Sequence, residues 1–331
     1  MEVAVYGAGA IGSLVGARLH EAGARVHLIG RQEHVDAIRA NGLLVKGQNE
    51  TRLVRLPATT TLTDNADIIL LTVKSQDVTH ACRDIAGLHS NATVVTMQNG
   101  IRSDGEAAGI LGRYRIVGCV LNISATFLEP GLVEQNTGAL LQVGAPFPES
   151  AARVDAVLTL LSSAMKTEHV SDIARARWTK LMANLNNAIM TITGLPIGKA
   201  LRHPGLARLS IATIREGVKT AQLGGFGLDQ SRRARTFRLM STLPMPLANV
   251  VFGGRLAGNF PPESTYGPST LQSLQRGSSS ELDYLNGEIV TLGQRIGRPT
   301  PYNAGLLDAG RRVFETRRHL TAEELLRSFA F

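Results

Sequence analysis

A glycine-rich turn near the N-terminus restricts the fold more than any other feature of this chain. It follows Val3–Tyr6, a short apolar segment typical of a buried strand, and it opens Ile11–Glu21, whose apolar spacing is helical. The turn reads Gly7-Ala8-Gly9-Ala10-Ile11-Gly12 and fits the GxGxxG pattern that binds the pyrophosphate of a dinucleotide. Its first glycine would permit the tight turn, its second the approach of the phosphates, and its third close helix–strand packing. All six residues are predicted cofactor contacts, and the alternative is a glycine-rich turn without a ligand.

Alternating strand and helix patterns continue through the first half of the chain. Further predicted strands, including a closing hairpin made of the last two, are Arg25–Ile29, Ile68–Val73, Thr93–Met97, Ile116–Val120, Leu132–Glu134 and Leu140–Val143. Ala151–Met165 has helical periodicity. Apolar strands separated by helices indicate a parallel sheet covered on both faces. Residues 1–170 are therefore predicted to form an α/β, Rossmann-like dinucleotide-binding domain.

Strand patterns almost vanish after Asp172, and helical patterns replace them. These helical patterns cover 172–193, 204–223, 281–296 and 301–318. Between them, 240–268 is rich in Pro and Gly and predicts an extended loop. Residues 171–331 are therefore predicted to form an all-helical domain.

Composition and charge exclude several classes of protein. The 331 residues are 44% hydrophobic and 19% charged, as in an ordinary globular protein. The formal charge of +8 includes arginine clusters at 232–238 and 311–318, where helical apolar spacing indicates solvated helix faces. No nucleic-acid-binding module accompanies them, and an anionic substrate and cofactor explain the basic excess equally well.

Cysteine usage and the N-terminal residues bear on the compartment. Cys82 and Cys119 lie far apart without a CxxC motif, which favours a reducing compartment over a disulfide framework. The N-terminal residues lack a signal-peptide pattern, and the apolar run 66–73 is too short to span a bilayer. We therefore expect a cytoplasmic protein with no membrane partner, whereas the oligomeric state stays open, with a homodimer as one option.

The residues after the second predicted strand bear on the choice between NAD and NADP. An NAD site normally carries Asp or Glu there, but this chain has Gly30-Arg31. A guanidinium can bind a 2′-phosphate through bidentate hydrogen bonds, so NADP is the predicted cofactor. A solvated loop arginine is the alternative, and the nearby Glu33 keeps it open.

A polar stripe with a single charge marks the helix predicted to start near 172. Lys180, Asn184, Asn187 and Thr191 fall on one face at helical spacing, and Lys180 is the only charged residue between Arg177 and Lys199. Because a solvated face normally carries more charge, the stripe predicts a cleft lining. A lysine there could donate a proton to a ketone oxygen and stabilise the developing alkoxide. The alternative is a surface lysine.

Glu281 allows two interpretations of equal weight. It lies in Ser278-Ser279-Ser280-Glu281-Leu282-Asp283-Tyr284, downstream of Ser269. The spacing Ser278-x-x-Glu281 fits a capping box, in which the carboxylate would accept a backbone N–H at a helix start. The other interpretation is a carboxylate with a role at the active site.

Taken together, these segments resemble the ketopantoate reductases (2-dehydropantoate 2-reductases). The likeness depends on Gly7–Gly12, Val73-Lys74, Gln98-Asn99-Gly100, Trp178–Asn184 and Ser269–Gly287, in the family's order over nearly the whole chain. The resemblance implies a Rossmann domain followed by a helical substrate-binding and catalytic domain, with catalysis in the cleft between them. It also implies NADPH-dependent reduction of 2-dehydropantoate to pantoate, in pantothenate and coenzyme A biosynthesis.

The resemblance also implies roles for individual residues. Lys180 matches the general acid, and Glu281 matches the carboxylate that holds substrate hydroxyls and orients the lysine. Asn184 and Ser269 match substrate-binding positions. Asn99 matches an asparagine between nicotinamide and substrate, and Lys74 matches a lysine near the cofactor. A small 2-oxo acid is thus the expected partner.

Departures from the family pattern leave other functions open. Leu195-Pro196-Ile197-Gly198 stands where many members carry Pro-Asn-Gly, so a reductase of another 2-oxo acid is one alternative. A hydroxyacid or opine dehydrogenase would need a histidine base, for which only His169 or His203 lies nearby. A non-enzymatic NADP sensor is a third. Zinc chemistry and nucleophilic catalysis are disfavoured, since the sequence has neither HExxH nor GxSxG.

Overall fold

The computed structural model describes residues 1–47, 50–62, 66–88, 91–258, 270–271, 274, 277 and 279–329. The chain divides into two compact units, Met1–Ala176 and Arg177–Phe331. The sequence patterns predict this division after residue 170.

The first unit contains one mixed sheet of ten described strands flanked by helices. The strands are β1 (Glu2–Tyr6), β2 (Arg25–Ile29), β3 (Leu43–Lys46), β4 (Thr51–Val54), β5 (Ala58–Thr59), β6 (Ile68–Leu71), β7 (Thr93–Thr96), β8 (Ile116–Glu129), β9 (Leu132–Gly144) and β10 (Lys166–His169). The helices are α1 (Ala10–Glu21), α2 (Gln32–Asn41), α3 (Val78–Leu88), α4 (Ser103–Leu111) and α5 (Val154–Ser162).

The centre of the sheet is parallel and brings several strand ends to one edge. The order is β4-β3-β9-β8-β7-β6-β1-β2-β5, and the run from β8 to β5 is parallel throughout. Tyr6 of β1 is in register with Leu71 of β6, which is in register with Thr96 of β7. The loops after these three strands and after β2 therefore meet at the carboxyl edge, where open α/β sheets bind their ligands.

Both faces of this sheet are covered, as the apolar strands predict. Val3 and Val5 of β1 pack into one buried cluster with Leu14 of α1, whereas Ala4 packs into another with Cys82 of α3. Alternate residues of one strand thus belong to cores on opposite faces, because side chains alternate along a strand.

The predicted closing hairpin is wrong in its pairing. Leu132–Glu134 and Leu140–Val143 belong to the single strand β9, whose antiparallel partner is the upstream β8. The first segment also pairs with β3 and the second with β10. The polar residues between them predict a turn, but they belong to β9. The β8–β9 pairing accommodates them through irregularities in its register.

Every described regular element of the second unit is a helix. This unit contains most of α6 (Ile173–Asn184), whose first turn belongs to the first unit. It continues with α7 (Asn187–Thr193), α8 (Ile197–Arg202), α9 (Pro204–Leu223), α10 (Arg232–Thr242), α11 (Met245–Gly258), α12 (Asn286–Arg295), α13 (Pro301–Thr316) and α14 (Ala322–Leu326). A buried apolar cluster unites α7, α9 and α13 with Leu282, which lies in a short 3-10 turn before α12.

The extended loop predicted at 240–268 is wrong for its first part, because α10 and α11 extend through 258. Pro244 and Pro246 stand at the start of α11, where proline costs no hydrogen bond, and the N–H of Ala248 already donates to the carbonyl of Pro244. Residues 259–268 lie outside the described residues. Within the described ranges, no helix combines the length and the apolar character needed to cross a membrane.

Candidate functional site

The turn between β1 and α1 accepts only glycine at two of its positions. Gly7 has a φ of 110°, and a Cβ there would lie 2.5 Å from the backbone nitrogen of Val73. A Cβ on Gly12 would lie 2.4 Å from the carbonyl oxygen of Gly7 and 2.6 Å from Oγ1 of Thr72. The helix therefore starts in direct contact with the strand ends, as the glycine pattern predicts.

The N-terminus of α1 is open to an anion. Gly9 is exposed, and among described atoms a Cβ there would meet only the carbonyl oxygen of Gly7, 4.0 Å away. No described side chain caps the first N–H groups, and the first turn carries no acidic residue. Ala10 and Ile11 are half-buried, whereas Ala8 is buried and its N–H donates to a β2 carbonyl. The uncapped N–H groups and the helix dipole suit a pyrophosphate.

Arg31 lies beside this turn, directly after β2. A Cβ on Gly30 would lie 3.0 Å from the Cβ of Ala8, so the end of β2 touches the glycine turn. Arg31 is exposed, and so is Glu33 in the first turn of α2. Arg31 thus lies at the edge of the sheet that carries the glycine turn, and its side chain is accessible to a ligand.

Lys74 and Asn99 follow the neighbouring strands β6 and β7. Both side chains are half-buried. The hydroxyl of Ser75 donates to the carbonyl of Asn99 over 3.1 Å, and Nε2 of Gln98 donates to the carbonyl of Leu71 over 2.7 Å. The structure therefore joins the two loops and brings Lys74 and Asn99 to the edge that carries the glycine turn.

His34 also supports this site, although the sequence patterns did not identify it. It is only 3% exposed, and its Nδ1 accepts the backbone N–H of Gly131 over 2.9 Å. The proton is therefore on Nε2, which donates to Oγ of Ser13 over 2.9 Å, directly after the last glycine of the turn. Burial lowers the pKa of His34 to about 4, so the imidazole is neutral at pH 7. It ties α2, which starts after Arg31, to α1.

The predicted polar stripe in the second unit holds only for its first two members. Lys180 and Asn184 lie one turn apart on α6, and both are half-buried. The helix stops after Asn184 and a new one starts at Asn187, so the four residues do not lie on one continuous helix. Thr191 is 0% exposed, and its hydroxyl donates to the carbonyl of Asn187, which makes it a core residue rather than a cleft lining.

Glu281 is not part of a capping box. It precedes the 3-10 turn Leu282–Tyr284 and is thus not the third residue of a helix, as that motif requires. The carboxylate is 6% exposed, and glutamate is rarely buried to this extent unless it is paired. Ser278, the other residue of the predicted box, and Ser269, a predicted substrate contact, lie outside the described residues.

Two glycines that the sequence patterns did not identify allow close packing around these residues. A Cβ on Gly217 of α9 would lie 2.7 Å from Cδ1 of Leu185, directly after α6. A Cβ on Gly310 of α13 would lie 2.2 Å from Cδ1 of Leu282, next to Glu281. Each segment that carries a predicted catalytic residue therefore packs against a neighbouring helix at a glycine, where only the absence of a side chain allows the contact.

These groups have a definite chemical capacity. The first unit offers a glycine turn and an uncapped helix N-terminus for a polyanion. The second unit offers a half-buried ammonium that can donate a proton and a buried carboxylate that can accept hydrogen bonds. Within the described ranges, no three His, Cys, Asp or Glu side chains are grouped to hold a metal ion.

Comparisons with known proteins identify the same family across both units. The model of the ketopantoate reductase PanE/ApbA family matches residues 3–146, and the model of its C-terminal domain matches residues 172–313. The 2-dehydropantoate 2-reductase of Pyrococcus horikoshii is 27% identical over 305 residues, covering 92% of this chain and 94% of that protein. The enzyme of the same name from Mesorhizobium japonicum is 27% identical, with 95% and 98% covered.

Solved structures share the fold. A PanE/ApbA family ketopantoate reductase from Ralstonia eutropha JMP134 is 29% identical with a TM-score of 0.81, covering 96% of this chain and all of that one. A D-mandelate dehydrogenase, solved with NADH and anilino(oxo)acetate, is 23% identical with a TM-score of 0.83, covering 96% and 99%. The family models span most of the chain, and the relatives named above are reductases. The expectation of an enzyme is therefore confirmed, and the alternative of a non-enzymatic sensor is not. This chain therefore belongs to the ketopantoate reductase PanE/ApbA family and is an oxidoreductase.

Proposed function

We propose that this enzyme uses NADPH to reduce a 2-oxo acid to a 2-hydroxy acid, with 2-dehydropantoate as the substrate and pantoate as the product. The reaction would be a step in pantothenate and coenzyme A biosynthesis. The observation that carries the proposal is Lys180, a half-buried ammonium on a helix of the domain that matches the family's C-terminal model. The relatives named above support 2-dehydropantoate.

The glycine turn fits a nicotinamide dinucleotide. The positions where a Cβ would collide are glycine, and the one that faces open space, Gly9, leaves the backbone bare for the phosphates. When bound, the reduced nicotinamide supplies a hydride to the carbonyl carbon. Lys74 and Asn99 would line the cofactor's side of the substrate, since their loops lie at the same edge as the turn.

Arg31 would set the preference for NADPH over NADH. Its exposed guanidinium can bind the 2′-phosphate with two charge-assisted hydrogen bonds, and no carboxylate occupies its position. In Arg31→Ala we expect the KM for NADPH to rise about 10-fold or more with little change for NADH. Arg83→Ala, which removes an exposed arginine from α3, is the matched control. An unchanged ratio of the two KM values would refute this assignment.

Lys180 would deliver the proton. As the carbonyl carbon accepts the hydride, its oxygen gains negative charge, and the ammonium both stabilises that charge and gives up a proton to form the hydroxyl. The neutral amine then takes a new proton from solvent, so the net change is one ketone and one proton converted to one alcohol while NADPH becomes NADP⁺.

Glu281, Asn184 and Ser269 would hold the substrate. A buried carboxylate accepts hydrogen bonds strongly, which suits the hydroxyl group of 2-dehydropantoate. A second candidate function is reduction of a 2-oxo acid without that hydroxyl. Ile197, the first residue of α8, favours it, since many members carry asparagine in the corresponding turn.

The first experiment compares Lys180→Ala with Lys199→Ala, which removes an exposed lysine from α8. Oxidation of NADPH with 2-dehydropantoate is followed at the nicotinamide absorbance. Loss of the general acid should lower kcat about 100-fold or more, whereas the control should keep the wild-type rate. If both variants turn over normally, Lys180 is not the proton donor.

The second experiment separates the two candidate substrates. It compares 2-dehydropantoate with 3,3-dimethyl-2-oxobutanoate, which differs only by lacking the hydroxyl. Wild type should prefer 2-dehydropantoate, and Glu281→Gln should reduce that preference, whereas Glu315→Gln, which changes an exposed residue of α13, should not. A wild-type enzyme that prefers the analogue would favour the second function.

A further inference from the structure

The helix that carries Lys180 is interrupted, and the interruption leaves the carbonyl of Leu185 without its helical donor. In an unbroken helix, the N–H of Ile189 would donate to the carbonyl of Leu185. This N–H donates instead to the carbonyl of Asn186, over 3.1 Å. The carbonyl of Leu185 therefore needs a donor from elsewhere, because a buried carbonyl without one is costly.

Asn286 supplies that donor. Its side chain is 0% exposed, and its Nδ2 donates to the carbonyl of Leu185 over 3.2 Å and to Oδ1 of Asn303 over 3.0 Å. Asn286 is the first residue of α12 and follows Glu281 by five positions in the sequence. One amide thus joins the segment after Lys180 and Asn184 to the segment after Glu281.

The amide is itself held in place. Asn303, also 0% exposed, donates from Nδ2 to the carbonyl of Thr213 over 3.2 Å and to Oε1 of Glu216 over 2.8 Å. The Glu216 carboxylate in addition accepts the N–H groups of Tyr302 and Asn303 at the start of α13. These bonds fix which end of each amide donates, so Asn286 must direct its NH₂ group to Leu185.

We propose that Asn286 is a positioning residue for the reduction, because it stabilises the interrupted helix over a continuous one. The inference rests on the proposed function, in which Lys180 and Glu281 act on the substrate. Without the donor, the Leu185 carbonyl would regain a partner most easily if Ile189 bonded to it again, and this would change the direction of α6 relative to α7. A shift of that kind at Lys180 and Asn184 misaligns the proton donor, and small misplacements lower rates strongly.

The test uses Asn286→Ala, which removes the donor, and Asn286→Ser, a milder variant that keeps a short donor. The core variant Val313→Ala is the control, since Val313 is buried in the same unit and its side chain forms no hydrogen bond. Rates are measured per folded molecule at a temperature well below each Tm. Backbone amide exchange in 185–190 is followed in parallel.

We expect kcat to fall at least 10-fold in Asn286→Ala and less in Asn286→Ser, with a shifted basic limb of the pH profile and altered exchange at Ile189. Val313→Ala should lose thermal stability but keep kcat within about 2-fold and an unchanged pH profile. If the Asn286 variants behave like Val313→Ala in both respects, the inference is overturned. Lys180→Ala run alongside distinguishes the failures: an active Lys180→Ala sinks the proposed function and this inference together, whereas an inactive one with normal Asn286 variants sinks this inference alone.

Discussion

The hydroxyl of Thr72 donates a hydrogen bond of 2.9 Å to the carbonyl oxygen of Gly7. A Cβ on Gly12 would lie 2.4 Å from the same oxygen, so this bond holds the turn where the start of α1 packs most closely on it. Thr72 follows β6, well away from the glycine turn in the sequence, and it therefore clamps the predicted phosphate site from a neighbouring strand.

Replacing Thr72 by Val should weaken dinucleotide binding. Valine keeps the shape but leaves the Gly7 carbonyl without this donor, and a hydrogen bond of this type contributes about 0.5–1.5 kcal/mol. The Kd for NADPH, measured by fluorescence titration, should rise about 2- to 10-fold. Thr72→Ser keeps the hydroxyl and should bind normally. Equal affinity in all three proteins would show that the clamp is irrelevant to the cofactor.

Replacing Gly310 by Ala should lower activity more than stability. The new Cβ would overlap a methyl group of Leu282, which is 0% exposed and cannot move into solvent. Overpacking costs about 1–3 kcal/mol, and the better helix propensity of Ala offsets up to about 1 kcal/mol. Because Leu282 follows Glu281, its displacement should reduce kcat/KM about 10-fold in the NADPH assay.

Two controls make the Gly310 experiment specific. Gly109→Ala introduces a helical alanine whose Cβ would have no described atom within 4 Å apart from its chain neighbours and its own helix backbone. It should therefore be neutral or stabilising. The double variant Gly310→Ala with Leu282→Val makes room for the methyl and should recover part of the lost activity. Recovery of Tm without any recovery of kcat/KM would contradict the link to Glu281.

His34 should make the folded protein sensitive to acid. Its pKa is lowered to about 4 by burial, whereas an unfolded chain has the ordinary value near ~6.5. The unfolded state therefore binds the extra proton first, so stability is complete above about pH 6.5 and falls as the pH drops toward 4, by up to about 3 kcal/mol. Thermal unfolding from pH 7.5 to 4.5 would show this as a falling Tm.

The variant His34→Gln isolates this contribution. Glutamine can still accept from Gly131 and donate to Ser13 but does not titrate in this range. The variant should be less stable at pH 7.5, yet its Tm should depend less steeply on pH. His27, whose pKa is lowered by burial and by Arg39, contributes in the same direction in both proteins. Parallel curves for wild type and variant would assign the acid sensitivity elsewhere.

The two cysteines should not react in the native protein. Cys82 and Cys119 form no disulfide and are both 0% exposed, and burial raises the pKa of Cys82 to about 12. Since the thiolate is the reactive form, a thiol reagent at pH 8 should modify neither residue until denaturant is added. Rapid labelling before unfolding would show that the sheet core opens readily.

Much of the first unit could be predicted because its signals are local. The apolar segments of β1 and β2 and the glycines between them specify a strand, a tight turn and a helix from adjacent residues alone. The same is true of Lys180, which stood out as an isolated charge on a helix pattern. The predicted hairpin failed because β9 pairs with three different strands, and pairing partners distant in the sequence leave no local trace.

The sequence by itself thus determined the alternation of central strands and helices in the first unit, the turn that only glycine can make, and the chemical type of the candidate residues. The tertiary structure decided what surrounds them: that Thr191 is a core residue, that Glu281 belongs to no capping box, and that α6 stops after Asn184. The physical reason is that the break between α6 and α7 depends on a hydrogen-bond donor that lies outside both helices. Asn286 lies 101 positions from Leu185, and only folding brings its amide to that carbonyl.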